Sequence, residues 1–212
     1  MARSAAVARS SIPASGDTAV VAGWEVSQNS RPSQGAGLEL VDCTPLTKVL
    51  VRAAASGAVA DLLKTPFGKA ARTMSGVLTT GCRPEEWTLY AAPGVAQRLV
   101  DKVRKRAPKG ELVTVLDITH GRTLVRLTGG SAPEALSKLC GIDLSGAVTP
   151  NGAALRTSVA KLTVELVRDD DEGVCSYLMS CDRSYGDYFF GALLDAGTEF
   201  AIEPRGFVLP GI

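Results

Sequence analysis

The segment ELVDCTPLTKVLVRA, Glu39–Ala53, recurs in altered form as TVLDITHGRTLVRLT, Thr114–Thr128. In both copies apolar residues lead into an aspartate, a threonine follows two positions later, and Leu-Val-Arg comes next, with one residue of slippage. Each copy continues with a helical pattern, an apolar strand, a strand with aromatic residues and a long amphipathic helix. This order predicts an α+β protein of tandem β-α-β-β-α units with mainly antiparallel pairing.

The duplication predicts three parts of the chain. Residues 1–37 are rich in Ser, Ala, Gly and Pro, which is typical of an extended N-terminal arm. The first α+β repeat is predicted at 38–109. The second is predicted at 110–212, where it includes a C-terminal tail.

The predicted arm is a candidate for binding to a partner. It has few apolar side chains, so alone it cannot offset an ordering entropy of about 1–2 kcal/mol per residue. Tryptophan is enriched among the residues that carry binding energy, and a short apolar segment can add a strand to a partner. We therefore predict that Trp24 anchors the arm on a partner, with Val20, Val21 and Val26 beside it.

Two local patterns in the second repeat make specific predictions. Residues Thr157–Val167 alternate between two faces, which predicts a single half-buried strand with Asp169–Gly173 as its solvated turn. The last helix is predicted at Ser184–Ala196, with Ser184 as its N-cap, Asp187 completing the capping pattern and Gly197 just past its end.

The composition excludes several classes of protein. The chain has 23 Lys and Arg against 22 Asp and Glu, a net charge of +1, which argues against a nucleic-acid partner. The basic run Lys102–Arg106 is interpreted as a solvated helix end, which the helix dipole favours, rather than as a phosphate track. Every apolar stretch is shorter than the ~20 residues that a membrane helix needs, so no membrane partner is expected. Five scattered cysteines predict small buried residues in a reducing compartment, and therefore a cytoplasmic protein.

His120 is the only histidine in the chain. It follows Asp117 in a predicted turn, either as a general base oriented by that aspartate or as a turn residue held by backbone hydrogen bonds. The second interpretation is favoured, because no nucleophile accompanies the pair. Gly129 and Gly130 follow a strand but lack the third glycine of a nucleotide-binding loop, and one histidine without clustered cysteines does not compose a zinc site. We therefore expect no catalytic, cofactor-binding or metal-binding residue in this chain.

Four short motifs resemble one known family, the gamma subunits of heterotetrameric sarcosine oxidases. They are RPEEW at Arg83–Trp87, DITHGRTLVRLTG at Asp117–Gly129, CGIDL at Cys140–Leu144 and RSY at Arg183–Tyr185. Their order and spacing carry the resemblance from about residue 38 to residue 200.

The resemblance implies a fold related to the folate-binding domain of aminomethyltransferases. It further implies a non-catalytic subunit that stabilises larger subunits in a complex with alpha, beta and delta chains. Complexes of this family are oxidoreductases acting on CH–NH donors: they demethylate sarcosine oxidatively to glycine, with formation of hydrogen peroxide and 5,10-methylenetetrahydrofolate. The resemblance assigns FAD, FMN and NAD to the larger subunits, zinc to the smallest, and no cofactor to this chain, while tetrahydrofolate accepts the one-carbon unit.

Two alternatives remain open at this point. A stand-alone folate-binding or aminomethyltransferase-like protein has the same expected fold. A relative of that kind that serves iron–sulphur enzymes carries a K-G-C-Y-x-G-Q motif, most of which is missing from TGCRPE at Thr80–Glu85. An RNA-binding module with aromatic stacking strands is disfavoured by the neutral charge and by an aromatic content of 5%.

Overall fold

The computed structural model describes residues 6–14, 16–28, 37–73, 75–207 and 209. Predictions for residues 1–5, 15 and 29–36 of the arm, and for most of the C-terminal tail, lie outside the described residues. The strands are β1 (Ala8–Arg9), β2 (Thr18–Val21), β3 (Trp24–Ser27), β4 (Leu38–Asp42), β5 (Thr47–Arg52), β6 (Ala70–Arg72), β7 (Leu78–Arg83), β8 (Glu86–Ala91), β9 (Thr114–Asp117), β10 (Arg122–Thr128), β11 (Ala154–Val159), β12 (Leu162–Arg168), β13 (Ser176–Asp182) and β14 (Ile202–Arg205). The helices are α1 (Ala58–Leu63), α2 (Ala96–Arg104), α3 (Ala132–Ser137) and α4 (Gly186–Gly197).

The two halves exchange their leading strands. The five-stranded sheet has the order β6-β7-β8-β5-β9, and the six-stranded sheet has the order β11-β12-β13-β10-β4-β14. Strand β4 therefore leaves the first half to pair with β10, and β9 leaves the second half to pair with β5. The α+β fold class is confirmed. The predicted boundary between the two repeats, at residues 109 and 110, stays a prediction. Each large sheet contains strands from both sides of that boundary.

Three clusters of buried side chains define the layers. One lies between the five-stranded sheet and helices α1 and α2, and another between the six-stranded sheet and helices α3 and α4. The third joins the two sheets, with Leu78 and Tyr90 from one and Leu124 and Leu178 from the other. The order of layers is therefore helices, sheet, sheet, helices.

The single strand predicted at Thr157–Val167 is wrong, because the segment forms a hairpin. Strands β11 and β12 pair antiparallel, with Val159 opposite Leu162. The two residues between them, Ala160 and Lys161, have φ values of 50° and 65°. Positive φ at both central residues is the pattern of a type I′ two-residue turn, and such a loop brings the residues on either side of it to the same face of the sheet. Val159 and Leu162 therefore point to the same face of the sheet, whereas a single strand would place them on opposite faces.

The predicted side-chain cap of the last helix is also wrong. A 3₁₀ turn at Arg183–Tyr185 precedes α4, which begins at Gly186 without a side-chain cap hydrogen bond. The N–H of Gly186 donates to the carbonyl oxygen of Arg183, so the turn supplies the acceptor that a capping side chain would have provided. At the other end, Gly197 is the last helical residue rather than the first one past the helix.

The described part of the predicted arm forms a small sheet on the body of the molecule. Its strands have the order β1-β3-β2. Ile12 is buried in the core of the six-stranded sheet, and Trp24 and Val26 are buried in the core between the sheets. Ser11 lies so close to Gly186 that a side chain at residue 186 would clash with it. These residues therefore contribute to the core of their own chain.

Candidate functional site

The duplicated Asp-x-Thr motif lies where the chain crosses between the two large sheets. After β4, the Asp42 carboxylate accepts a hydrogen bond from the N–H of Thr44 at 2.9 Å. After β9, the Asp117 carboxylate accepts the equivalent bond from the N–H of Thr119, also at 2.9 Å. An aspartate that bonds to the backbone two residues on stabilises a tight turn. The motif therefore builds the crossing between the sheets. Asp117, which the sequence offers as a partner for His120, is part of it.

Lys48 lies fully buried at this crossing and is the main titratable group that the sequence did not reveal. Its Nζ donates to the carbonyl oxygens of Thr44 at 2.8 Å, Leu46 at 2.9 Å and Thr119 at 3.2 Å. Burial lowers the pKa of Lys48 to about 7, although the charges of Asp42 and Asp117 oppose the shift. An ammonium group has three donors, and three carbonyls take them all, so none is left for a substrate.

The structure aligns this lysine with a residue of the second half that the Leu-Val-Arg match does not pair with it. The N–H groups of Lys48 and Leu124 donate to the hydroxyls of Thr119 and Thr44, at 3.0 and 3.2 Å, so the two residues hold equivalent positions in the two halves. Leu124 is fully buried, as an apolar residue at a core position should be. The Leu-Val-Arg match of the sequence pairs Leu124 with Leu50 instead, so it gives no signal for a buried lysine.

Burial also raises the pKa of Asp42, although hydrogen bonds from Ser10 and Thr44 and the charge of Lys48 oppose this rise. A carboxylate and an ammonium thus face each other across the crossing, each disfavoured by burial and favoured by the other.

His120 lies in a 3₁₀ turn at Thr119–Gly121, as the turn interpretation predicts. Its ring stacks on the indole of Trp24, with the ring centroids 4.8 Å apart and an interplanar angle of 10°. The side chain lines a groove of about 400 Å³ together with Asp117, Thr47 and Thr119. The two threonine hydroxyls accept hydrogen bonds from the N–H groups of residues 95 and 48. The described lining residues include no serine or cysteine, so the groove does not assemble a nucleophile with a base.

The four predicted partner-binding residues have different surroundings. The side chain of Trp24 is 5% exposed and that of Val26 is 7% exposed, because both pack within this chain. Val21 is half-buried, whereas Val20 is 61% exposed on the outer strand of the small sheet. Contact of these residues with a partner stays a prediction. The contact seen for Trp24 is with His120 of its own chain.

The cysteines are placed as small core residues. Cys43, Cys82, Cys140 and Cys181 are buried, Cys175 is half-buried, and all five are free thiols. Burial raises the pKa of both Cys43 and Cys82 to about 12 and that of Cys181 to about 11. The thiolate is the reactive form of cysteine, so burial makes these three thiols poor nucleophiles.

The acidic loop predicted as a solvated turn is partly buried in ion pairs. Asp169 contacts Arg72 of the five-stranded sheet and Arg126 of the six-stranded sheet, the latter at 2.7 Å. Asp170 pairs with Arg168 at 3.0 Å. The prediction of a solvated turn is therefore wrong for these two aspartates, because arginines from both sheets converge on the loop. Asp169 links the sheets at this end.

A second polar link between the sheets was not predicted. Glu165 of β12 accepts hydrogen bonds from the hydroxyls of Thr88 at 3.3 Å and Tyr90 at 3.2 Å, both on β8. Burial raises the pKa of Tyr90 well above its ordinary value, and the charge of Glu165 adds to the shift. The tyrosine therefore acts as a hydrogen-bond donor that fixes the sheets to each other.

The described residues show no cluster of metal-ligand side chains and no open space beside the Gly129 backbone. No group of three His, Cys, Asp or Glu side chains in the described ranges is arranged to hold a metal ion. The space beside the Gly129 backbone is occupied by the chain itself, since a Cβ at residue 129 would lie 2.5 Å from the carbonyl oxygen of Gly37. No helix of the described part is long and apolar enough to span a membrane.

Comparison with known proteins finds a matching family and two relatives of this chain. The model of the family described as sarcosine oxidase, gamma subunit, matches residues 53–199. A protein named sarcosine oxidase subunit gamma from Corynebacterium sp. (strain P-1) is 30% identical over 152 residues, which cover 72% of each chain. A protein of the same name from Arthrobacter sp. is 28% identical over 151 residues, which cover 70% of each chain.

Two solved structures share the fold. A chain of the heterotetrameric sarcosine oxidase from Corynebacterium sp. U-96, in complex with pyrrole 2-carboxylate, aligns with a TM-score of 0.69 and 23% identity. The alignment covers 80% of this chain and 88% of that one. The glycine cleavage system aminomethyltransferase T from Bartonella henselae aligns with a TM-score of 0.68 and 18% identity, over 92% of this chain and 56% of that one. The predicted relation to the aminomethyltransferase fold is confirmed.

Proposed function

The chain belongs to the sarcosine oxidase gamma subunit family, and we propose that it serves as a non-catalytic subunit that stabilises the larger subunits of a heterotetrameric sarcosine oxidase. The observation that carries this proposal is the family match, which spans most of the folded chain. The geometry supports the non-catalytic part: the donors of Lys48 are taken by carbonyls, and the groove at His120 offers no free nucleophile among its described residues.

The proposal extends to the assembly as the family resemblance implies it. The partners are alpha, beta and delta subunits, and the complex oxidises sarcosine to glycine in one-carbon metabolism. The larger subunits hold FAD, FMN and NAD, the smallest holds zinc, and tetrahydrofolate receives the one-carbon unit. We place the complex in the cytoplasm, which suits a chain with free thiols.

Co-expression of this chain with the other subunits of its own complex tests the proposal. We expect a stable assembly that oxidises sarcosine, and lower yield or stability of the large subunits when this chain is omitted. The isolated chain should be colourless, without flavin absorbance or oxidase activity. It should also show no saturable binding of tetrahydrofolate. A chain that does not co-purify with the other subunits, or that carries a stoichiometric flavin, would contradict the proposal. Saturable folate binding by the isolated chain would favour the stand-alone alternative.

A further inference from the structure

Strand β9 is an outer strand of the five-stranded sheet, and no described strand pairs with its free side. At the opposite edges of the two sheets, β6 and β11 approach each other. The N–H of Ala70 donates to the carbonyl oxygen of Gly152 at 2.7 Å, and the N–H of Ala154 donates to the carbonyl oxygen of Gly68 at 3.0 Å. On the remaining edge, residues 204–207 at the end of β14 line a cavity together with Glu25–Ser27 of the small sheet. Strand β14 thus also lacks a described strand on its outer side, and β9 is distinguished from it by the side chains around the edge.

The hydrogen-bond register of β9 shows which backbone groups point outward. Val49 lies opposite Asp117, and the N–H of Ile118 donates to the carbonyl oxygen of Lys48 at 2.9 Å. Inward and outward groups alternate along an antiparallel strand, so those of Val115 and Asp117 point away from β5. Outside the strand, the carbonyl oxygen of Val115 accepts one bond, from the guanidinium of Arg104 at 3.3 Å. An unpaired strand edge is a template for another strand.

The inner face of this edge exposes two leucines beside a groove that also contains charged side chains. Leu116 on β9 is 48% exposed, and Leu112, just before the strand, is 91% exposed. Leu112, with Thr114 of β9, lines a wide groove of about 900 Å³. The same groove is lined by Arg83–Glu86, which form the hairpin of the RPEEW motif. The exposed side chains of Leu112 and Leu116 are therefore available as apolar contacts for a partner.

The outer face of the edge is basic. Helix α2 packs on this side of β9, and its end contains the basic run that the sequence singled out. Residues 102–109, KVRKRAPK, contain five cations and no acid. The helix dipole favours cations in the last turn of α2, but the run continues beyond the end of the helix at Arg104. A strand lying along β9 has this basic run beside one of its faces.

We propose that the edge of β9 accepts an extended strand from another subunit, with apolar residues facing Leu112 and Leu116 and acidic residues facing the basic run 102–109. The occupant is thus a strand in which apolar and acidic residues alternate with the two-residue period of a β-strand. Its backbone pairs with the outward groups of Val115 and Asp117. This inference rests on the proposed function, because it names the surface through which the subunit docks.

Two sets of variants test the two faces in the co-expressed complex. Leu116→Lys and Leu112→Lys place a charge on the apolar face, and the triple variant Lys102→Glu, Lys105→Glu, Arg106→Glu reverses the basic face. We expect each set to lower assembly at least tenfold, measured as the dilution at which the complex dissociates in mass photometry. Val148→Lys and Lys161→Glu, at exposed positions outside β9 and α2, are the matched controls and should assemble like the wild-type chain.

Amide hydrogen exchange distinguishes an added strand from other contacts. The N–H groups of Val115 and Asp117 should exchange at least tenfold more slowly in the complex than in the free chain. Equal exchange rates in the free chain and in the complex would overturn the inference, and so would normal assembly of both variant sets. In either case, assembly of the wild-type complex would still support the proposed function. Loss of oligonucleotide binding by the triple variant, with assembly intact, would assign the basic run to nucleic acid and also overturn it. If the wild-type chain does not assemble at all, the proposed function fails first, and this inference fails with it.

Discussion

Replacing Lys48 with methionine removes a buried ammonium group whose pKa burial lowers from 10.5 to about 7. In the unfolded chain this lysine is solvated and keeps its ordinary pKa, so between these two values the unfolded chain binds more protons than the folded one. The destabilising contribution of Lys48 is therefore fully present below pH 7 and is lost as the pH rises toward 10.5. The contribution of Lys48 to the free energy of unfolding should therefore rise with pH across this window. Comparison of the wild-type chain with Lys48→Met isolates it from the buried cysteines, whose raised pKa values act in the opposite direction.

The linkage relation with these two pKa values gives a rise of about 2 kcal/mol between pH 7 and pH 9. Lys48→Met lacks this contribution at every pH. The variant also leaves the carbonyls of Thr44, Leu46 and Thr119 without their donor, but that loss is nearly independent of pH. The difference in stability between the two chains should therefore shift by about 2 kcal/mol over the window in favour of the wild-type chain.

Urea unfolding followed by circular dichroism at pH 7, 8 and 9 measures this difference. Lys69→Met is the control, because Lys69 is exposed and its removal should leave the pH dependence unchanged. Parallel pH profiles for the wild-type chain and Lys48→Met would refute the reasoning, since they would mean that Lys48 keeps its ordinary pKa in the folded state.

Two further predictions concern the stack between the small sheet and the turn after β9. Trp24→Ala should destabilise the chain by about 3–5 kcal/mol in urea unfolding, because it removes a buried aromatic side chain, whereas Val20→Ala at an exposed position should have little effect. Equal effects of the two variants would place Trp24 outside the core. His120→Asn should leave sarcosine turnover by the assembled complex within about threefold of wild type, since less than ~1 kcal/mol of transition-state stabilisation is at stake. A hundredfold loss with assembly intact would show that His120 takes part in the chemistry.

The sequence predicted the repeated elements well, because each depends on a local pattern. The helical patterns that the sequence shows at residues 58–63 and 95–106 correspond to α1, with the same bounds, and to α2, within two residues at each end. The exchange of β4 and β9 was not predicted, since alternation within a strand does not tell which strand lies beside it. The hairpin at Ala160 was missed for a different reason: Ala-Lys is not one of the Asn-Gly or Asp-Gly pairs that mark a two-residue turn.

The candidate site was predictable only where neighbours in sequence are neighbours in space. The turn at His120 was predicted, but its stacking on Trp24 joins residues far apart in the chain. Lys48 was missed because lysines are rarely fully buried, and its three acceptor carbonyls come from two turns that are distant in the sequence. Asp169 was interpreted as solvated because its arginine partners come from two distant strands.

The exchange of leading strands sets the order in which this protein is completed during synthesis. When the ribosome has made the first half, Leu38 and Leu40 of β4 have no sheet to join, because β10 does not yet exist. The five-stranded sheet in turn waits for β9 at Thr114–Asp117, and the six-stranded sheet closes only when strands as late as β14 emerge. A chain cut between 109 and 110 therefore yields two incomplete fragments, each holding a strand that the other requires. Such fragments can restore the fold only by trading those strands, so the two halves of the sequence depend on each other as the two chains of an obligate dimer do.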